Sequence, residues 1–200
     1  MNGPSGAQEA ALEPPIRVWR PLAGGSDDAA LIRRARRGSA DAVESLVRRH
    51  WDGAHRAAYL IVHDAAAAED IAQEAMLAAV RALDGFDRRR PFRPWLHRIV
   101  VNRSLDWLRS RARRPEVSAE AVASPDHAPE SDDRLSDELM AALAELDPAD
   151  RALVVLRHLL GYRASELARI FDMPAATVRT RLARALGRLR ARLEAEEEQR

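Results

Sequence analysis

The 200-residue chain carries 32 Lys and Arg against 31 Asp and Glu, has a formal net charge of +1, and contains no cysteine. That length holds one domain or two small ones. The absence of cysteine excludes disulfides and thiolate metal sites, and no apolar run approaches the roughly 18 residues of a membrane span. There is no basic start followed by an apolar block, so no signal peptide is expected and a cytoplasmic protein is. Every Lys/Arg position is arginine, and the near-zero total hides strong segregation of charge.

Residues 1–25 hold Gly, Pro and Ala without periodicity and read as a disordered arm. Ser26 followed by Asp27 and Asp28 is a helix start, a capping hydroxyl with acids in the first turn. The helix runs to Arg37 and Gly38 stops it. Ser39 is placed to cap a second helix with an inward stripe of Val43, Leu46, Val47, Trp51, Ala54, Ala58 and Tyr59, interrupted near Gly53. Asp64 precedes a third helix over 65–83. Its apolar residues Ile71, Ala75, Ala78 and Ala82 recur at helical spacing, and Asp70, Gln73 and Glu74 share one face. Asp84-Gly85 ends it.

The charge then reverses. Arginine occupies 88, 89, 90, 93, 98, 103, 109, 111, 113 and 114, against Asp87 and Asp106 alone, and Phe86, Phe92, Trp95 and Trp107 are interleaved. Arginine neutralises phosphate and aromatic faces stack on unpaired bases, so this composition suits single-stranded or melting nucleic acid. Pro94 fits the first turn of a helix running to about Arg113. Strand signals are absent, and 26–114 reads as an all-helical bundle.

Residues 115–134 change character. Pro115, Pro125 and Pro129 sit among Glu116, Glu120, Asp126, Glu130, Asp132 and Asp133, the composition of a flexible acidic linker. A second helical domain covers 135–193, with a charged tail over 194–200. Leu139, Leu143 and Leu146 form one stripe. Asp147-Pro148 starts a helix, with Asp150 three residues after the cap. A short helix over 164–170, a turn at Phe171-Asp172-Met173 and a long helix opened by Pro174 then suggest helix-turn-helix. Leu167, Ala168, Val178 and Leu182 would form its shared core, with Arg179, Thr180, Ala183 and Arg184 outward. An amphipathic helical hairpin that never touches DNA fits the same pattern.

Two stretches in this order resemble the extracytoplasmic-function sigma factors of bacterial RNA polymerase, within the sigma-70 family. AEDIAQEAMLAAVRAL and FRPWLHRIVVNRSLDWLRSR resemble the polymerase-binding helix and the minus-10 segment of region 2. DPADRALVVLRHLLGYRASELARIFDMPAATVRTRLARALGRLR looks like region 4, which binds the minus-35 element and the polymerase beta-flap. The resemblance implies an all-α fold of two small domains, and a factor that brings core polymerase to promoters and assists melting without catalysing anything itself. It implies that Asp70, Gln73 and Glu74 contact the beta-prime coiled coil. It assigns Trp95, Arg98, Asn102, Arg103, Asp106 and Arg109 to the minus-10 element, and Arg157, Thr177, Arg179, Thr180, Arg181 and Arg184 to the minus-35 element. Promoter DNA, core polymerase and an anti-sigma factor are the implied partners. No cofactor or metal is expected, since there is no nucleotide-cradling glycine loop and His50, His55 and His63 form no convincing metal set.

The chain departs from the family pattern at Arg163, where Ser or Thr usually caps the next helix, so the cap is lost or moves to Ser165. Asp172 replaces a turn glycine, Ala176 a glycine before the TVR run, and His97 an aromatic residue. A free-standing helix-turn-helix repressor would leave the acidic helix face and the aromatic-arginine segment unexplained. A helical adaptor without DNA would leave both arginine clusters unexplained.

Overall fold

The computed structural model describes residues 25–113 and 137–198. The N-terminal arm and the acidic linker expected from composition fall almost wholly outside them. Every regular element among the described residues is helical: α1 (Gly25–Ala35), α2 (Ala40–Val62), α3 (Ala65–Arg81), a 3-10 turn (Leu83–Gly85), α4 (Phe92–Arg113), α5 (Asp137–Ala144), α6 (Pro148–Val154), a π-helical segment (Val155–Leu159), α7 (Ala164–Ile170) and α8 (Ala175–Glu198).

Helix α2 is the spine of the first group. Its 23 residues make a rod about 35 Å long, unbroken at Gly53. It presents Ala42, Leu46, His50, Ala54, Ala57, Ala58 and Ile61 to the core. The stripe is rotated from the expected one: His50 is inside while Trp51 is half-buried and stacks on His55 at 6.3 Å. The rotation has a partner at its origin. Asp28 accepts from His50 at 3.1 Å and from Arg49 at 3.0 Å. Burial pushes the Asp28 carboxyl up, but the hydrogen bonds and charges of His50 and Arg49 outweigh it and leave the group below its usual range.

Helix α3 packs through small residues. Ala67, Ala68, Ala72, Ala75 and Ala79 are buried beside Ile71 and Met76, so neighbouring backbones come close. Asp64 caps it, accepting from the Ala67 amide at 3.0 Å. The same carboxylate receives Arg111 at 2.9 Å, which ties the end of α4 to the start of α3. At the other end Arg36 donates to the carbonyls of Leu83 at 2.7 Å and Phe86 at 2.5 Å. Those carbonyls terminate a helix and lack intrahelical donors.

In the second group α6 and α7 pack against α8 through Leu153, Leu156, Leu167, Ile170, Val178, Leu182 and Leu189, all buried. Asp147 caps α6, accepting from Ala149 at 3.0 Å with Pro148 in the first turn. Arg163 cannot cap α7, because guanidinium has no acceptor. Instead the Glu166 carboxylate accepts the Arg163 amide at 2.7 Å, and the cap does not move to Ser165, which lies inside the helix. Asp172 adopts φ 52° in the turn before α8, the left-handed conformation that Asp tolerates better than most residues.

Candidate nucleic-acid and polymerase interface

The exposed face of α3 carries Asp70, Gln73 and Glu74, and continues to Leu77, which is 49% exposed. Leu77 is four residues beyond Gln73 and three beyond Glu74, so the acidic face has an apolar centre. An exposed large side chain beside acids is a contact signal that the sequence reading left out. Glu74 pairs with Arg103 of α4, so the expected polymerase-binding and minus-10 residues meet at one edge.

Helix α4 begins at Phe92, two residues ahead of Pro94. Phe86, Phe92 and Trp95 form an aromatic cluster with centroids 4.7–5.8 Å apart. Phe86 and Phe92 are buried in the core and only Trp95 is part-exposed. The cluster is thus mostly internal packing that shapes the loop, with one face offered outward. Asn102 and Asp106 are exposed one turn apart. Arg109 donates to Asp106 at 2.6 Å. Arg98 leans the other way, donating to the Arg169 carbonyl at 3.3 Å and lying 3.8 Å from Asp172.

On α8, Thr177, Arg179 and Thr180 are exposed in its first turns. Thr180 donates back to the Ala176 carbonyl at 3.1 Å. Arg181 turns inward to Asp150 at 2.6 Å and Arg184 lies 3.6 Å from the same carboxylate. Asp150 is 3% exposed. Rather than completing a capping box, it anchors α8 to α6. Arg157 donates to the Tyr162 carbonyl at 3.0 Å. Among these six residues, Thr177, Arg179 and Thr180 face solvent most freely.

Four further residues escaped the sequence reading. The Tyr162 hydroxyl lies 2.5 Å from His97 Nδ1, and both side chains are buried. His97 also hydrogen-bonds the Gly53 backbone, a contact that favours its protonated form and so involves the carbonyl. With Nε2–H donating there, Nδ1 accepts from Tyr162. Burial, then the charge of Arg93, push His97 down to about 3. Arg93 lies 4.7 Å over the Tyr162 ring and donates to the Leu160 carbonyl at 2.9 Å. Arg151 donates to the carbonyls of Ile61 at 2.6 Å and Ala144 at 2.6 Å. Nothing local in the sequence pairs residues so distant in the chain.

Comparison with known proteins accounts for this arrangement of an acid-faced helix, an arginine-rich helix and a helix-turn-helix. Residues 46–114 match Sigma-70 region 2 and residues 136–189 match Sigma-70 region 4. The RNA polymerase sigma-H factor of Pseudomonas aeruginosa is 36% identical over 175 residues, covering 79% of this chain and 89% of that protein. The ECF RNA polymerase sigma factor SigM of Mycobacterium tuberculosis is 36% identical over 163 residues, covering 81% and 82%. The solved structure of CnrH in complex with the cytosolic domain of CnrY aligns with a TM-score of 0.66 at 31% identity, covering 84% of this chain and 97% of that one. With both regions present in order on a wholly helical frame, the chain belongs to the sigma-70 family of RNA polymerase sigma factors, in its extracytoplasmic-function branch.

Proposed function

We propose that this sigma factor binds core RNA polymerase through the α3 face of Asp70, Gln73, Glu74 and Leu77, reads the minus-10 element with α4 and the minus-35 element with α8. The observation that carries the reading is the pairing, in one chain, of two separate polar helix faces. Asn102, Asp106 and Arg109 stand out on α4, and Thr177, Arg179 and Thr180 on α8. Amide and carboxylate groups on α4 can accept and donate to base edges, while arginine and threonine at the start of α8 suit the major groove. Trp95 offers a stacking face beside Arg98 and Arg103 for an unpaired base. Arg157, Arg181 and Arg184 support α8 and reach phosphate from its flank.

The domain division follows: region 2 over 26–114, a linker over 115–134 and region 4 over 135–193. The polymerase supplies the chemistry, and the factor acts where the polymerase is, in the cytoplasm. CnrH was solved with the cytosolic domain of CnrY, and a protein antagonist of that kind fits here too. Among the described residues, no helix is long and apolar enough to cross a membrane.

The test is co-purification with core polymerase, followed by run-off transcription from candidate promoters. Stable association and promoter-dependent transcript are expected. Tight duplex binding by the chain alone, with no polymerase association, would instead favour the repressor reading.

A further inference from the structure

The two helical groups are held together by polar groups that promoter reading does not use in this form. Tyr162 meets His97, Arg93 meets Leu160 and the Tyr162 ring, Arg151 meets Ile61, and Arg98 meets Arg169 and Asp172. Hydrogen bonds of this kind can be exchanged for water at modest net cost, because each partner is hydrated again on separation. A contact built this way resembles a reversible domain interface more than a shared core.

Under the proposed function, this docked arrangement conflicts with the promoter. Elements centred roughly 10 and 35 base pairs upstream lie about 85 Å apart along a duplex that rises about 3.4 Å per base pair. In the docked chain, α4 reaches the end of α7 and the turn before α8 within a side-chain length, since Arg98 lies 3.8 Å from Asp172. Helices this close cannot sit on both elements together. Arg98, a phosphate candidate, is also engaged by the turn it touches. The chain between Arg113 and Asp137 can reach roughly 80 Å at full extension, so separation of the groups restores the required span.

We infer that the contact of Tyr162 with His97, supported by Arg93 and Arg98, is an autoinhibitory latch that holds the free factor docked and must open before both promoter elements can be read. The binding-competent form is the undocked one, so apparent promoter affinity scales with its population. Polymerase and DNA open the latch by binding the undocked chain better, and phosphate competes directly for Arg98.

The test uses the full chain, which has no native cysteine. Donor and acceptor dyes are attached through Asp41→Cys on α2 and Arg190→Cys on α8, both exposed positions. Tyr162→Phe keeps the ring against Arg93 but leaves the buried His97 Nδ1 without a donor. Loss of one such hydrogen bond should shift the docking equilibrium about tenfold. Energy transfer should fall, and promoter affinity should rise by up to the same factor, with far-UV circular dichroism unchanged. A cleavable bismaleimide joining the two cysteines should abolish run-off transcription with core polymerase, and cleavage should restore it.

Unchanged transfer in Tyr162→Phe overturns the latch. So does lower transfer without tighter promoter binding, or a cross-linked chain that initiates as well as the free one. Failure of the sigma reading is distinct: wild-type chain would then give no transcript with core polymerase whatever its energy transfer, and both inferences fall together.

Discussion

In α1–α4 the arginines that hold the fold work at helix ends. Arg36 satisfies the carbonyls of Leu83 and Phe86, and Arg111 reaches the capping carboxylate of Asp64. In α5–α8 two arginines are drawn further in. Arg151 is buried among carbonyls, and Arg181 is three-quarters covered on the buried Asp150. The first group has a long spine and an alanine-packed neighbour, so backbones approach closely and end-capping suffices. The second is built from shorter helices whose mutual placement needs an internal ion pair. The lesson is that an arginine cluster is not one functional unit. Neighbours such as Arg179 and Arg181 can have opposite duties, and only packing separates them.

The sharpest way to break that comparison is to remove each member in turn. Arg181→Ala strands a buried carboxylate, and Arg184 at 3.6 Å compensates only in part. A loss of about 3 kcal/mol in urea unfolding is expected. Arg179→Ala should stay within about 0.5 kcal/mol of wild type in stability, yet weaken minus-35-dependent transcription. Equal stability losses at the two positions would erase the distinction.

The α3 face should respond as a partner surface rather than as a fold element. Asp70→Arg with Glu74→Arg is expected to reduce core polymerase binding about tenfold, corresponding to about 1.4 kcal/mol, while helicity persists. Normal binding by this double variant in a pull-down would remove the assignment.

On α4, Asn102→Ala with Asp106→Ala should change minus-10 base preference, with about 1–3 kcal/mol of discrimination lost at each base read bidentately. Permanganate footprinting on duplex and pre-melted templates separates reading from melting. A melting defect is rescued by pre-melting and an affinity defect is not. Removing Asp106 also frees Arg109, an exposed pair worth little to stability, so unfolding should barely change.

Acidification gives the smallest and most diffuse effect. Burial, then Arg93, lower His97 to about 3, and burial, then Arg151, lower His63 to about 4. Both lie below the ordinary histidine value of 6.5. The unfolded chain therefore takes up protons first as pH falls. Stability should be full above about pH 6.5 and decline progressively toward pH 4. Thermal melts between pH 7.5 and 5 check this. A flat profile would mean that neither ring is as enclosed as its surroundings indicate.

Much of this was legible in the sequence because it is local. Helical periodicity, the Asp64 and Asp147 caps, Pro148, and the turn at Asp172 are decided by neighbours within a few residues. So are the acidic face of α3 and the polar face at the start of α8. The sequence also carried both sigma motifs in order, and with them the family. Tertiary structure alone decided which side chains those faces could actually present. It rotated α2 so that His50, not Trp51, meets the core, because Asp28 waits there. It buried Phe86 and Phe92 and left Trp95 part-exposed. It turned Arg181 inward while leaving Arg179 outward, and it joined His97 to Tyr162 across 65 positions of chain. The physical reason is range: caps and periodicity act over a turn or two of helix, whereas burial and ion pairing depend on which distant segment arrives opposite.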